Sequence, residues 1–179
     1  MSDKKLQSRE RILRAAESIL VLRGPVEPSV SEIMAAAGMT VGGFYAHFDS
    51  KESLMLEAFE RLLSKRRAGL SELNSDLPLS ERRSLMAAFY LSRRHRDSAD
   101  SGCPLPASLS EIARLPESFR EALARHLELI VAKLAQTPEQ SSAVLADLAM
   151  MIGGLSLARA LGPGDMSDRV LRAAKSAIV

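Results

Sequence analysis

Apolar residues recur every three or four positions along almost the whole chain, and no stretch alternates convincingly between apolar and polar. That period belongs to helices, so the 179-residue sequence is expected to be all-α, with about nine helices. Leu and Ala supply most of the apolar content, and both favour helix. The first helix is predicted from about Ser8 to Leu22, with Ile12, Leu13, Ala16, Ile19 and Leu20 on one stripe and Gly24-Pro25 at its end. Ser29-Val30-Ser31-Glu32 then has the spacing of a capping box and opens a short helix, Val30 to Ala37, closed by Gly38. Thr40 is placed to cap a third short helix, Val41 to Phe48. Asp49-Ser50 interrupts the chain, and Ser50 caps a fourth helix from Lys51.

Beyond about Arg67 the signals loosen. A helix is predicted from Ser80 to Arg94, carrying Leu85, Ala88, Phe89 and Leu91, followed by a polar loop from His95 to Gly102. A short helix entered through prolines covers Cys103 to Leu115. Pro116 suits a first helical position, and Phe119, Leu123, Leu127, Ile130 and Leu134 make the stripe behind it. Thr137-Pro138-Glu139-Gln140 is a second capping box, and the last helix is expected to begin near Ser167 or Asp168.

Charge and cysteine content exclude several classes. Net charge is only +2, so any nucleic-acid contact must come from local placement of charge. A single cysteine, Cys103, rules out an intramolecular disulfide framework and a multi-cysteine metal site. No apolar run follows Met1, and the uncharged run Leu148 to Ala158 falls short of the about 20 residues a bilayer needs. A soluble, cytoplasmic protein is expected. No glycine-rich phosphate loop or paired-histidine metal motif is present, and His47, His95 and His126 are scattered, so no enzymatic activity, cofactor or metal is expected.

A short helix, a turn at Gly38 and a second short helix form a helix-turn-helix pattern. Its small core would take Ile12, Ala16 and Ile19 from the first helix, Ile33, Ala36 and Ala37 from the second, and Phe44 and Phe48 from the third. In such a unit the third helix enters the major groove. It begins Thr40-Val41-Gly42-Gly43, which suits a backbone that must come close to DNA. Tyr45 and His47 can donate to phosphate or base edges, and Lys4, Lys5, Arg9 and Arg11 could follow the phosphate backbone. Against this, residues 1–52 carry seven Lys/Arg and seven Asp/Glu. The pattern alone therefore leaves open a ligand-binding module with no DNA contact.

The block SVSEIMAAAGMTVGGFYAHFDSKESLMLEAF, residues 29–59, resembles the signature of the TetR/AcrR transcriptional regulators. Matching elements are the capped helix with Glu-Ile, Ala-Ala-Gly, Gly-Gly-Phe-Tyr, His-Phe, and Ser-Lys-Glu before Leu. The resemblance implies a homodimer that sets one groove helix from each subunit into a near-palindromic double-stranded operator. It implies phosphate contacts from Thr40, Tyr45 and Lys51 and base approach by Gly42, Gly43 and His47. Ser29 and Val41 complete the expected DNA-binding set. Val41 departs from the pattern, since many members carry a basic residue there. The implied division is a helix-turn-helix domain at 1–52 and a helical ligand-binding and dimerisation domain at 53–179. The implied role is a repressor released by a small-molecule effector.

The segments GCPLPASLSEIARLPESFREAL and MIGGLSLARALGPGDMSDRVLRAA are similar to one branch of that family. Independently, Ala143 to Ala158 contains one charge, Asp147, and is apolar around nearly its whole circumference. Burial on two sides would satisfy it: its own core and a second chain. The alternative is that this helix is the core of a monomer. Candidate effector or sensing residues are Cys103, Phe89 and Arg93. A thiol at a helix start can serve as a reactive thiolate or simply as a small buried hydrophobe. Phe89 can line a pocket or a core, and the run Arg93 to Arg96 can bind an anion or form a solvated helix end.

Overall fold

The computed structural model describes residues 3–71, 76–98 and 102–178, and among these every regular element is a helix. The helices are α1 (Asp3–Arg23), α2 (Val30–Ala36), a 3₁₀ segment η1 (Val41–Ala46), α3 (Lys51–Ser71), α4 (Leu79–Tyr90), α5 (Arg93–Asp97), α6 (Leu105–Ile112), α7 (Glu117–Leu134), α8 (Pro138–Leu161) and α9 (Asp165–Ser176). The chain divides into two compact units. Unit 1 holds residues 1–63 and 99–120, and unit 2 holds residues 64–98 and 121–179.

Unit 1 packs α1, α2, η1, α6 and the first part of α3 around Ile12, Leu13, Ala16, Leu20, Ile33, Phe44, Leu54, Ala58 and Phe59. Phe59 meets Phe119 with ring centroids 6.0 Å apart. Charged side chains stitch α1 to α3 outside that core. Arg61 donates two hydrogen bonds to Glu10, at 2.7 and 2.8 Å, and a further ion pair links it to Glu17 at 2.9 Å. The Arg61 guanidinium holds the Glu10 carboxyl down at a pKa of about 2.

Unit 2 is built on α8, with Met86, Ala87, Leu91, Ile130, Leu134, Val144, Leu148, Met151, Ala158, Leu171 and Ile178 as its core. Helix α8 is long and apolar enough to cross a membrane by length and composition alone. Its buried face and the ion pair of its buried Asp147 with Arg83 (Nη2 to Oδ1, 2.9 Å) mark it as the core helix of this unit. Only one face is covered. Leu145, Met150, Leu157 and Leu161 stay exposed, and a methyl added at Gly153 would meet nothing, whereas one at Gly154 would press on Ala174 and Leu91.

Several expectations need correction. Helix α1 starts at Asp3 instead of Ser8, because Lys4, Lys5 and Gln7 extend it at little cost as good helix formers. The expected loop from His95 begins as helix α5, capped by the Ser92 hydroxyl, which accepts from the His95 amide at 3.1 Å. Residues 99–101 of that expected loop lie outside the described residues. The run Arg93 to Arg96 is not uniformly solvated. His95 and Arg96 are buried, and Arg96 donates to Ser167 and Asp168 on α9. Helix α9 starts at Asp165, not Ser167. At the head of α8, Thr137 caps the Gln140 amide as expected, but the Gln140 side chain accepts from the amide of Gln136 instead of closing back on Thr137.

Candidate nucleic-acid interface

Helix α2 is fixed at both ends by local chemistry. At its start the Ser29 hydroxyl accepts from the Glu32 amide at 3.2 Å, while the Glu32 carboxylate accepts from the Ser29 amide at 2.8 Å. The Ser29 amide, its hydroxyl and Arg23 together hold the Glu32 pKa down at about 2. At its end Gly38 takes φ +65°, its N–H donating to Ala35 O and the Met39 N–H to Met34 O, a Schellman turn that only glycine enters without strain. Arg11 then donates to the carbonyls of Ala37 (2.6 Å) and Gly38 (3.2 Å). The inward face of α2 is Ile33 and Met34, with Ala37 behind them. Ala36, expected inside, is exposed, because a seven-residue helix has room for one buried stripe and Met34 fills it. Ile19 of α1 is half-buried.

The segment after the turn is 3₁₀ and covers Val41–Ala46, shorter than the expected helix to Phe48. Two glycines in its first turn weaken the α-helical alternative by about 1 kcal/mol each. Thr40 occupies the capping position, but its side chain makes no capping hydrogen bond. Phe44 anchors the segment with its ring fully buried, 5.2 Å from Tyr45 and 6.0 Å from Phe48 between centroids. Val41, Gly42, Tyr45 and Ala46 around it are exposed, and Gly43 is half-buried. Tyr45 is 72% exposed, Val41 is 46% exposed, and Gly42 is open enough that an added methyl would touch nothing. His47 is half-buried, with Nδ1 enclosed and lacking a hydrogen-bond partner. Lys51 opens α3 and donates from Nζ to the carbonyl of Val26 at 2.7 Å.

Thr40, Val41, Gly42, Gly43, Tyr45, His47 and Lys51 therefore lie along one short stretch, with Ser29 at the start of the preceding helix. Two basic residues expected to follow DNA have other work. Arg9 forms a two-pronged pair with Glu57 and stacks 4.6 Å over the Phe48 ring, and Arg11 closes the α2 turn. Lys4 and Lys5 are exposed. The effector candidates divide between the two units. Cys103 is buried in unit 1 at 2% exposure, just before α6. In unit 2, Phe89 is 65% exposed beside His95, and Arg93 pairs with Asp168. Sequence reasoning missed Glu111 of α6, which accepts from the Val26 amide at 3.0 Å. Nothing in the local sequence signals a contact between residues 85 positions apart.

A capped helix, a glycine turn and an exposed segment held by one buried aromatic make up a helix-turn-helix unit. Residues 12–58 match the tetR family of bacterial regulatory proteins, and residues 80–174 match the tetracyclin repressor-like C-terminal domain; the chain belongs to the TetR family. It is similar to the HTH-type transcriptional repressor NemR of Escherichia coli, 27% identical over 134 residues that span 74% of this chain and 67% of NemR. A stretch of 57 residues, 32% of this chain, is 42% identical to the uncharacterised regulator YdgC of Bacillus subtilis, of whose length it spans only 29%. The fold agrees with the crystal structure of reduced E. coli NemR at a TM-score of 0.80 and 21% identity, covering 96% of this chain and 95% of that one.

Proposed function

We propose that this protein is a homodimeric repressor that reads a near-palindromic DNA operator through η1 and releases it when a small effector binds. The observation that carries the reading is the outward presentation of Tyr45 and Gly42 on a segment whose only deep anchor is Phe44. A side chain that large and that exposed, beside backbone with no side chain to keep a duplex away, suits a groove. NemR is named a repressor, which favours the same mode of control here. On this reading residues 1–52 read DNA and residues 53–179 bind ligand and dimerise, and the protein works in the cytoplasm.

Thr40, Tyr45 and Lys51 are assigned to phosphates. Gly42, Gly43 and the free edge of His47 are assigned to bases, with Val41 and Ser29 flanking them. The second chain is assigned to the uncovered face of α8, which carries Leu145, Met150, Leu157 and Leu161, because an exposed apolar face is costly in water. The effector is assigned to unit 2 near Phe89 and Arg93, and its effect to a shift of α3, which starts at Lys51 and continues through Leu54, Ala58, Phe59 and Leu62. Two groove helices must sit about 34 to 36 Å apart to read both half-sites, so small movements suffice. Cys103 would respond to an electrophile only after its segment opens.

Selection of bound duplexes from a random pool tests the proposal. The expected result is a palindrome bound with steep salt dependence. Tyr45→Phe and Lys51→Ala should each weaken binding several-fold across all sequences, whereas His47→Ala should change sequence preference. No enrichment of any duplex by the dimer, or a monomer at micromolar concentration in sedimentation, overturns it.

A further inference from the structure

We infer that Glu111, at the end of α6, is a positioning residue for Lys51, acting through the backbone of Val26. The inference rests on the assignment of Lys51 to a DNA phosphate. Val26 is held at both of its polar backbone groups. Its N–H donates to Glu111 Oε2 at 3.0 Å, and its carbonyl accepts from Lys51 Nζ at 2.7 Å. The two partners come from α6 and from the first position of α3, so one residue joins an element outside the helix-turn-helix to a side chain inside the reading surface.

Two further features fit this linkage and not a chance surface contact. Gly24 takes φ +73°, and a methyl there would lie 2.5 Å from Glu111 Oε2 and 2.7 Å from the Ala107 carbonyl, so the turn accepts α6 only because it is bare. The stretch between is Gly24-Pro25-Val26-Glu27-Pro28, with both prolines buried and their φ angles fixed. A displacement of Glu111 therefore passes along the segment instead of being absorbed within it.

The chemistry at Lys51 explains why an anchor is needed. A cation in the first turn of a helix opposes the positive end of the helix dipole, so the ammonium is repelled from where it must work. The Val26 carbonyl occupies one of its three protons and leaves two for a phosphate. With α6 in place the ammonium is oriented before DNA arrives; with α6 displaced it is not.

The protein without DNA provides the first test. Amide exchange at Val26 and the side-chain resonances of Lys51 are compared in wild type, Glu111→Ala and Glu111→Gln. Glu111→Ala should speed Val26 exchange about tenfold and shift the Lys51 resonances, and Glu111→Gln, which keeps an acceptor, should restore most of both. The second test uses the duplex selected by wild type. Glu111→Ala should weaken binding about fivefold and flatten the salt dependence toward that of Lys51→Ala, with less than about twofold further loss when added to Lys51→Ala. A merely structural role would lower the thermal midpoint and leave the salt dependence unchanged. Unmoved Lys51 resonances in Glu111→Ala, or additive losses in the double variant, overturn the inference. If wild type selects no duplex, the DNA reading itself fails, and the DNA-free comparison still decides whether Glu111 governs Lys51.

Discussion

Gly24 lies in the turn after α1 and Gly42 in η1, and a single methyl separates their roles. Alanine at Gly24 meets a positive φ and two oxygens closer than any real Cβ approaches. Gly24→Ala should cost about 1–3 kcal/mol in urea unfolding. Alanine at Gly42 meets open space at an ordinary φ, so Gly42→Ala should leave stability unchanged or raise it by about 0.5 kcal/mol while weakening operator binding. Equal effects on both measurements would place Gly42 in the packing. Much of this scale was legible in the sequence, because caps and glycine turns are local. Ser29, Glu32 and Gly38 do what their spacing implies. Ala36 was misplaced, since i+3 and i+4 positions cannot be ranked in so short a helix. Arg11 and Glu111 were not legible as partners of Ala37 and Val26, because those contacts exist only after distant segments meet.

At the scale of elements, α5 shows what a polar run can conceal. Arg93-Arg94-His95-Arg96 reads as solvent-facing, yet Arg96 is buried because Asp97 and Asp168 answer its charge, the second from 72 residues away. Helix α8 was legible as a core element from its near-absence of charge, and adjacent glycines within it should separate its two faces. Gly154→Ala puts a methyl 2.9 Å from Ala174 Cβ and 3.1 Å from Leu91 Cδ2. It should destabilise by about 1–3 kcal/mol despite the better helix propensity. Gly153→Ala meets nothing and should gain up to about 1 kcal/mol within a chain. Chemical denaturation of the two variants checks both signs.

The two units should also differ in how they meet acid. His95 and His126 both lie in unit 2, 5% and 3% exposed. Burial chiefly pushes each imidazole down to a pKa of about 4. Nearby Arg66 and Arg159 add to this at His95 against the Tyr90 carbonyl, which accepts from its Nδ1; Arg67 adds to it at His126. An unfolded histidine titrates near 6.5, so between about pH 6.5 and 4 the unfolded chain holds more protons and stability falls as pH drops. The loss should be on the order of 1–3 kcal/mol per histidine. Glu10 and Glu32 of unit 1, held near 2, lose their contribution only as pH falls from about 4.5 towards 2. Hydrogen exchange at pH 7 and pH 5, corrected for intrinsic rates, should show protection falling in unit 2 while unit 1 holds. His126→Gln should shrink that loss.

If η1 enters a DNA groove as proposed, its winding bears on how it could fit one. A 3₁₀ turn advances about 120° and 2.0 Å per residue, and an α-helix about 100° and 1.5 Å. A duplex that drew Val41–Ala46 into the wider spiral would swing Tyr45 by about 80° relative to Val41 and draw the two about 2 Å closer along the axis. Phe44, clamped in the interior, would act as the pivot. The reader would then be a short spring whose pitch the operator sets, and closely related half-sites could be engaged at different tensions by the same six residues.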